Sequence, residues 1–222
     1  MKPIILLILV SFFLFNCSNS EDIETGEVKT FNILRDALKE SNSNTLNVDV
    51  KKIFTRKQID KANIPILFIE LANGRNATLT KYPGEGVGVT WLSRDGATLT
   101  FNNGILFASR GMGDDIMGGS QSVPHWSRIK NEYNFTRKLS YLQLDNKVKV
   151  RQFSCIIKKE AANQKIEIFG HFFKTAVFKE SCYNNSMVIE NFYYVDRSHT
   201  VRRSKQYHSD TLGYITVERL DK

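Results

Sequence analysis

Two adjacent carboxylates, Asp114 and Asp115, lie in the glycine-rich segment SRGMGDDIMGGSQ at residues 109–121. Carboxylate oxygens bind Ca²⁺, but calcium loops space several such ligands along the chain, and no further spaced ligands accompany this pair. Glycosidases need two carboxylates about 5–10 Å apart, and Glu132 and Asp196 are further candidates for that role. The aspartate pair therefore marks a candidate ligand or partner surface on a long loop, and a solvated loop is the alternative.

Other catalytic and metal-binding patterns are not found in the sequence. The four histidines form no H-E-x-x-H motif, and no serine lies in a G-x-S-x-G turn. Gly111-Met112-Gly113 is not followed by the G-K-[ST] of a phosphate-binding loop. We therefore predict no catalytic residue, no metal and no cofactor.

Aromatic and polar side chains offer a different chemistry, the binding of sugar rings by stacking and hydrogen bonding. The alternative for the aromatic residues is that they fill a β core. The candidates for the ligand or partner surface are Trp91, Tyr194, Arg203, Gln206 and Tyr207.

The start of the chain predicts export and a lipid anchor. Lys2 precedes the nearly all-apolar stretch Ile4–Phe15, which has the shape of a secretory signal peptide. As a helix it would span about 18 Å, short of the ~30 Å hydrocarbon core of a bilayer. Cys17 follows at the position of a lipoprotein cysteine, although Phe15 and Asn16 are bulkier than the small residues usual before it.

We therefore predict a signal peptide at residues 1–16 and a lipidated cysteine with a flexible acidic tether at residues 17–27. Several acyl chains such as palmitate would hold the protein on a membrane, because each buried CH₂ contributes about 0.8 kcal/mol. Ser18 follows the cysteine where an aspartate would favour retention in the inner membrane. The predicted localisation is the outer membrane, facing the periplasm.

The cysteine count fits this interpretation. With Cys17 lipidated, Cys155 and Cys182 remain, and the periplasm permits a disulfide between them. Such a bond would contribute roughly 3.5 kcal/mol in the chain-entropy treatment. A reactive cysteine pair is the alternative, but it would need a lowered pKa or a C-x-x-C arrangement.

Composition indicates a globular domain with a basic surface. Apolar residues make up 41% of the chain, charged residues 24%, and the net charge is +8, which are ordinary values for a folded domain. Export argues against nucleic acid as a partner. An anionic polysaccharide or lipid headgroups suit the charge, and a solvated basic surface is the alternative.

Residue periodicity predicts an all-β fold with a short N-terminal helix. Val28–Glu40 has apolar residues at three- and four-residue steps, as in an amphipathic helix, and a second helical piece is expected at Thr55–Ala62, before Pro65. From Ile64 onward the period is two. We expect a large antiparallel meander that curls into an open barrel or a sandwich, in one domain at residues 28–222.

Turn residues support the meander. Asn73-Gly74, Asp95-Gly96 and Asn103-Gly104 lie between β-rich runs, as in hairpins with type I′ turns. Later strands are expected in seven segments, which bring the total to about a dozen: Tyr141–Leu144, Val148–Ile157, Lys165–Phe173, Ala176–Cys182, Met187–Val195, Thr200–Tyr207 and Tyr214–Leu220.

Five stretches resemble the YjbF/GfcB family, the group 4 capsule and exopolysaccharide lipoproteins of Gram-negative bacteria. They are WLSRDGATLTFNNGILFASRGMGDDI (91–116), the cysteine segments FSC (153–155) and ESC (180–182), NFYYVDRSHTVRRSKQY (191–207) and GYITVERL (213–220). The resemblance covers most of residues 28–222. Tyr194 and Tyr207 stand where the family commonly has tryptophan.

The resemblance implies a non-enzymatic outer-membrane lipoprotein with a role in the production or export of a surface polysaccharide, acting by binding glycan or partner proteins. It also implies partners from the same polysaccharide export cluster, including an outer-membrane β-barrel. Two alternatives stay open: a periplasmic polysaccharide-modifying enzyme, and a carrier of lipid or lipoprotein.

Overall fold

The computed structural model describes residues 51, 54–84, 86–122, 125–143 and 147–222. The predicted signal peptide, Cys17, the tether and the helix predicted at Val28–Glu40 lie outside this part of the chain. In the described residues, no helix is both long and apolar enough to span a bilayer.

Directly before the strands, the described residues form a short helix. Helix α1 (Arg56–Ala62) leads into β1, and a 3₁₀ helix (Trp126–Arg128) precedes β7. The strands are β1 (Ile66–Leu71), β2 (Asn76–Lys81), β3 (Val89–Ser93), β4 (Thr98–Asn102), β5 (Ile105–Arg110), β6 (Ile116–Gln121), β7 (Glu132–Leu142), β8 (Val148–Ile168), β9 (His171–Tyr183), β10 (Val188–Asp196), β11 (Val201–Ser209) and β12 (Gly213–Arg219).

The helix predicted before Pro65 is confirmed. Thr55 and Gln58 form a capping box, in which each side chain hydrogen-bonds the other residue's main-chain N–H, so that two N–H groups without intrahelical partners are satisfied. Asn63 ends the helix with φ +48°, a left-handed conformation that asparagine tolerates.

The strands form one antiparallel sheet, which confirms the all-β prediction and its open-barrel form. Its order is β5-β4-β3-β2-β1-β12-β11-β10-β9-β8-β7-β6. The first and last strands of the series, β1 and β12, are therefore neighbours, whereas the break in the sheet falls between the consecutive strands β5 and β6. Arg110 bridges this break by donating to the carbonyls of Ile116 and Met117 at 2.9 and 3.1 Å.

The three predicted hairpins form, but only one has the expected turn. Asn103 and Gly104 both have positive φ, +50° and +80°, as a type I′ turn requires. At Gly74 and Gly96 only the glycine has positive φ. There Leu71 N–H bonds Arg75 O, and Ser93 N–H bonds Ala97 O, so each loop has three residues with the glycine in the left-handed position.

Several boundaries expected from the sequence are wrong. The strand expected from Tyr141 begins at Glu132, and the strand expected to end at Ile157 continues to Ile168. The segment Lys165–Phe173 is not one strand, because the chain turns at Phe169-Gly170 with φ of +46° and +77° and separates β8 from β9. The segment at residues 109–121 is not a long loop, since only residues 111–115 connect β5 to β6. The turn at Phe169-Gly170 is not expected because phenylalanine is not a usual turn residue. The segment at residues 109–121 resembles a loop because β6 itself contains glycines.

Three apolar clusters stabilise the sheet. Two of them fill its concave side, one around Phe153, Phe178 and Tyr193 and the other around Leu79 and Leu99. The third lies on the convex side, where the inner face of α1 and the far end of the β8–β9 hairpin cover β1. Alternate residues of a strand point to opposite faces, and β1 accordingly buries apolar residues on both.

Candidate functional site

Strand β5 lies between the two clusters on the concave side of the sheet. Ile105 and Leu106 are both buried, and they belong to different clusters. Neighbouring residues in a strand point in opposite directions, so both faces of β5 are covered at this point. Strand β5 thus divides the interior of the barrel. One edge of β5 pairs with β4, and the other edge pairs with no strand of the described sheet.

Buried side chains satisfy the main-chain groups of β5 that no strand pairs. Gln206 accepts from Leu106 N–H at 2.7 Å and donates to Gly104 O at 2.9 Å. Arg137 donates to Leu106 O at 2.5 Å. An unpaired buried main-chain group would cost about 1–3 kcal/mol, so Gln206 and Arg137 hold β5 in place. Gln206, expected on a binding surface, is fully buried.

A carboxylate lies at the centre of this interior. Glu180 is fully buried and accepts from Arg137 at 3.3 Å, Tyr193 Oη at 2.5 Å and Asn191 Nδ2 at 2.7 Å. Burial is the largest single effect and disfavours the charge of Arg137, but Glu180, Tyr193 and Tyr141 together outweigh it and raise the pKa of Arg137. Burial also raises the pKa of Tyr193 well above its ordinary value. Arg137 therefore stays charged and Tyr193 keeps its hydroxyl proton, and both can donate to the buried Glu180 carboxylate.

The structure contains the disulfide between Cys155 and Cys182 that the sequence predicts. The two cysteines lie directly opposite each other on β8 and β9. Glu180 Oε1 lies 3.1 Å from Cys182 Sγ. Among the described residues, Cys155, Glu180 and Cys182 form the one group of three that could reach a single metal ion. Because the two sulfurs are joined, they are not available as thiolate ligands.

Asp115 organises the loop between β5 and β6. Its carboxylate accepts from the main-chain N–H groups of Gly111 and Met112 at 2.7 and 3.0 Å, and from Ser109 Oγ at 3.0 Å. Ser109 Oγ also lies 2.9 Å from His208 Nε2. Burial lowers the pKa of His208 to about 4, against the influence of Asp115 and Asp114. The hydrogen bonds that Asp115 accepts thus fix the main chain of the loop between β5 and β6.

Asp114 points to the open end of the barrel. It hydrogen-bonds Thr211 in the β11–β12 turn. In the same turn, Asp210 accepts from Arg151 and from the Tyr207 hydroxyl. Since alternate turns of a meander share one end, the loop after β5 and the turn after β11 meet there. We call Asp114, Arg151, Tyr207, Asp210 and Thr211 the rim cluster.

The ionisable groups of the rim cluster shift one another's pKa. The hydrogen bonds from Arg151 and then Tyr207 hold the pKa of the Asp210 carboxyl well below its usual range. Burial and the bond to Asp210 raise the pKa of Tyr207. Lys149 and Gln143 line the same small depression. A surface with carboxylates, a guanidinium, an amide and hydroxyls can hydrogen-bond the hydroxyl groups of a ligand.

The other predicted surface residues lie apart from the rim cluster. Trp91 is buried within the cluster around Leu79, and the Arg219 guanidinium lies 5.8 Å from its ring centroid. Tyr194 and Arg203 lie together on the convex face, 6.0 Å from ring centroid to guanidinium. The structure therefore places Asp114 and Tyr207 in the rim cluster, and it places Tyr194 beside Arg203 at a separate position.

Sequence reasoning missed the residues that organise the interior and the rim. Arg137 and Glu180 stand at positions where alternation calls for apolar side chains, between Phe135 and Leu139 in β7 and between Phe178 and Cys182 in β9. A charge in an inward-facing position needs a partner, so this interruption could have identified them. Arg151 carried no comparable pattern, because its partner Asp210 is 59 residues away.

Comparison with known proteins gives a family and a structural neighbour. Residues 34–220 match the family described as "Group 4 capsule polysaccharide lipoprotein gfcB, YjbF". The fold is similar to the crystal structure of the hypothetical lipoprotein YmcC from Escherichia coli (K12), with a TM-score of 0.70, 18% sequence identity, and coverage of 85% of this chain and 94% of that chain. No curated protein matches the sequence.

Proposed function

Because the chain belongs to the group 4 capsule polysaccharide lipoprotein family, we propose that it is a non-enzymatic component of exopolysaccharide or capsule production or export. It is anchored through lipid on Cys17 to the outer membrane, faces the periplasm, and acts by binding glycan or partner proteins. The observation that carries the proposal is the family match, which spans nearly all of the barrel.

The rim cluster is the surface that fits this role best. It combines Asp114, Tyr207 and a guanidinium at one end of the barrel, where loops from distant parts of the sequence meet. Hydrogen-bonding groups on a rigid sheet suit a hydroxyl-rich ligand such as a polysaccharide, and Lys149 adds a positive charge for an anionic one. Proteins of the same polysaccharide export cluster, including an outer-membrane β-barrel, are the candidate protein partners.

The chemistry of the interior favours binding over catalysis. Ser109 and His208 are hydrogen-bonded, but both are buried, and Asp115 bonds the serine rather than the histidine. In a serine hydrolase the acid orients the histidine. The Ser109 hydroxyl instead serves as a hydrogen-bond partner for buried groups such as Asp115 and His208. We therefore place the function at the rim cluster.

The first test is the amount of surface and secreted polysaccharide in a strain that lacks the gene. We expect a clear loss that the restored gene reverses. An unchanged amount, under conditions in which the polysaccharide cluster is expressed, would overturn the proposal. Restoring the gene with Lys149→Glu then tests the rim, and Lys174→Glu, an exposed lysine near the other end of the barrel, is the control. At equal protein levels, only Lys149→Glu should reduce the polysaccharide, and equal effects of the two would argue against the rim.

The lipid anchor has its own test. Cells grown with labelled palmitate should label the intact protein and the Ser18→Ala control. Cys17→Ala should abolish the label and release the protein from the outer-membrane fraction. Labelling that persists in Cys17→Ala would exclude this cysteine as the anchor.

A further inference from the structure

Two open cavities lie side by side at the end of the barrel opposite to the rim cluster. The larger, of about 380 Å³, is lined by residues of the β4–β5 and β10–β11 turns, and the smaller, of about 280 Å³, by residues of the connection from β6 to β7. His199 lines both cavities, and its ring centroid lies 5.1 Å from that of His125. We call the two cavities together the far-end groove.

The lining of the larger cavity is positively charged. Lys81 and Arg219 are part of it, and none of the described residues that line it is acidic. Its walls also include the buried aromatic rings of Trp91 and Phe101. Because a concave surface with low-dielectric walls and one sign of charge focuses the electric field, this cavity attracts anions.

The smaller cavity adds two cations, Lys130 and Lys159. Among the described residues that line it, the acidic one is Asp196. The Asp196 carboxylate accepts from Arg202 Nε at 2.5 Å and from the main-chain N–H of Thr200 at 3.0 Å. Arg202 therefore balances the charge of Asp196, and the two lysines give this cavity a positive charge as well.

The lysines of the far-end groove have no anionic partner within the part of the chain that the structure describes. Lys81, Lys130 and Lys159 are exposed and form no ion pair there. Lysines elsewhere on the sheet do have carboxylate partners, since Lys158 and Lys179 lie 3.5 and 2.6 Å from glutamate oxygens. The far-end groove thus combines a concave shape with ammonium groups that are available to a ligand.

Neutral hydrogen-bonding groups accompany these cations. Asn103 and His199 are exposed in the larger cavity, and Thr200 is partly exposed. Amide, imidazole and hydroxyl groups can bond the hydroxyl groups of a sugar as well as the oxygens of an acid group. Two neighbouring cavities that each carry cations suit a ligand whose negative charges repeat along a chain.

We propose that the far-end groove binds an anionic polysaccharide chain, with an acidic sugar unit such as a uronic acid in each cavity. Lys81 and Arg219 bind the acid group of one unit, and Lys130 and Lys159 bind that of another. The identity of the ligand as a glycan rests on the proposed function, whereas its negative charge is inferred from the groove. This site is separate from the rim cluster.

Tryptophan fluorescence can report binding in both cavities. The chain has two tryptophans, and Trp91 lines the larger cavity whereas Trp126 lines the smaller one. The mature chain with Cys17→Ser and the native disulfide intact is titrated with linear oligogalacturonate, and a maltooligosaccharide of the same length is the neutral comparison. Trp91→Phe and Trp126→Phe assign the change in fluorescence to one cavity or the other.

A pair of charge-reversal variants tests the site. Lys81→Glu with Lys159→Glu reverses one cation in each cavity. The control, Lys57→Glu with Lys138→Glu, makes the same change in net charge at exposed lysines that line neither cavity. We expect oligogalacturonate to bind the parent and the control with equal affinity, and the groove variant at least about tenfold more weakly. The maltooligosaccharide should also bind the parent at least about tenfold more weakly than oligogalacturonate does.

The absence of oligogalacturonate binding, or equal losses in the two variants, would overturn the proposal. Equal or tighter binding of polyglutamate, lost in the groove variant, would replace the glycan with an acidic segment of a partner protein. Binding to phosphatidylglycerol vesicles in place of oligogalacturonate would replace it with a membrane surface. Because these measurements use the purified protein, their failure leaves the result of the gene-deletion experiment unchanged, and an unchanged amount of polysaccharide in that strain does not alter the measured affinities.

Discussion

The side-chain amide of Gln206 accepts a hydrogen bond from the main-chain N–H of Leu106, at 2.7 Å inside the barrel and 100 residues away in sequence. The same side chain donates to Gly104 O. Gln206 therefore takes the place of a neighbouring strand for the edge of β5.

Gln206→Ala should lower the free energy of unfolding by about 1–3 kcal/mol, because it leaves buried main-chain groups of β5 unpaired. Urea denaturation followed by tryptophan fluorescence measures the change. The control is Gln152→Ala, an exposed glutamine of β8, which should change stability by less than about 0.5 kcal/mol. Equal losses in the two variants would contradict the role assigned to Gln206.

Glu180→Ala should destabilise the protein by about 3–5 kcal/mol, since it leaves the buried charge of Arg137 without its partner. The double substitution Arg137→Leu with Glu180→Leu should cost less than the sum of the two single leucine substitutions. Glu132→Ala, which removes the half-exposed ion pair with Lys158, is the control and should cost at most about 1 kcal/mol. A loss at Glu180 as small as that at Glu132 would refute the argument.

Gly104→Ala should be more harmful than Gly74→Ala, although the two glycines have nearly the same φ, +80° and +82°. A Cβ at Gly104 would meet the side chain of Val201, with its Cβ only 2.8 Å away, whereas a Cβ at Gly74 would meet nothing within 4 Å. We expect an additional loss of about 1–3 kcal/mol from overpacking. Val201→Ala in the Gly104→Ala background should recover part of it, and the absence of any difference between the two glycine variants would disprove the close approach.

His208 should make stability depend on pH. Its pKa is lowered by burial to about 4 in the folded protein, below the unfolded value of about 6.5. Between these values the unfolded chain binds the proton, so the free energy of unfolding falls as the pH is lowered from about 6.5 to about 4. The full difference is on the order of 3 kcal/mol.

His208→Gln should remove this part of the pH dependence. The measurement is urea unfolding at several pH values for both proteins, and the difference between their curves isolates the histidine from carboxylates such as Asp210. If the two curves stay parallel between pH 4 and pH 6.5, His208 does not titrate as the structure indicates.

Removal of the disulfide should lower the free energy of unfolding by about 3.5 kcal/mol, because the bond closes a chain segment of 27 residues. Cys155→Ala with Cys182→Ala is compared with the parent in urea. Reduction of the parent by dithiothreitol should give a similar loss, and a reduced parent that keeps its full stability would contradict the prediction.

Local features of this fold could be read from the sequence, because neighbouring residues determine them. Helix α1 and the three Gly-containing hairpins depend on residues within a few positions, and all four form where expected. The Phe169-Gly170 turn was missed because a phenylalanine occupies a left-handed position. There the registers of two long strands, rather than the preference of one residue, fix the turn.

The candidate site was only partly predictable. Asp114 and Tyr207 were selected for their chemistry, and the fold brings them to one end. Their partners Thr211 and Asp210 lie in a turn whose position depends on the closure of the whole sheet. Gln206 was assigned to a surface because it is polar, but the unpaired edge of β5 gives it a buried role that no local pattern shows.

The pairing of β1 with β12 has a consequence for the order in which the sheet assembles. During N-to-C synthesis, β1 has only β2 beside it until residues 213–219 emerge, so the sheet becomes continuous only after its other eleven strands have emerged. Until then the outer edge of β1 is an exposed template for other strands. Loss of residues 213–222 would leave two such edges, on β1 and β11, and a chaperone or protease would find its substrate there.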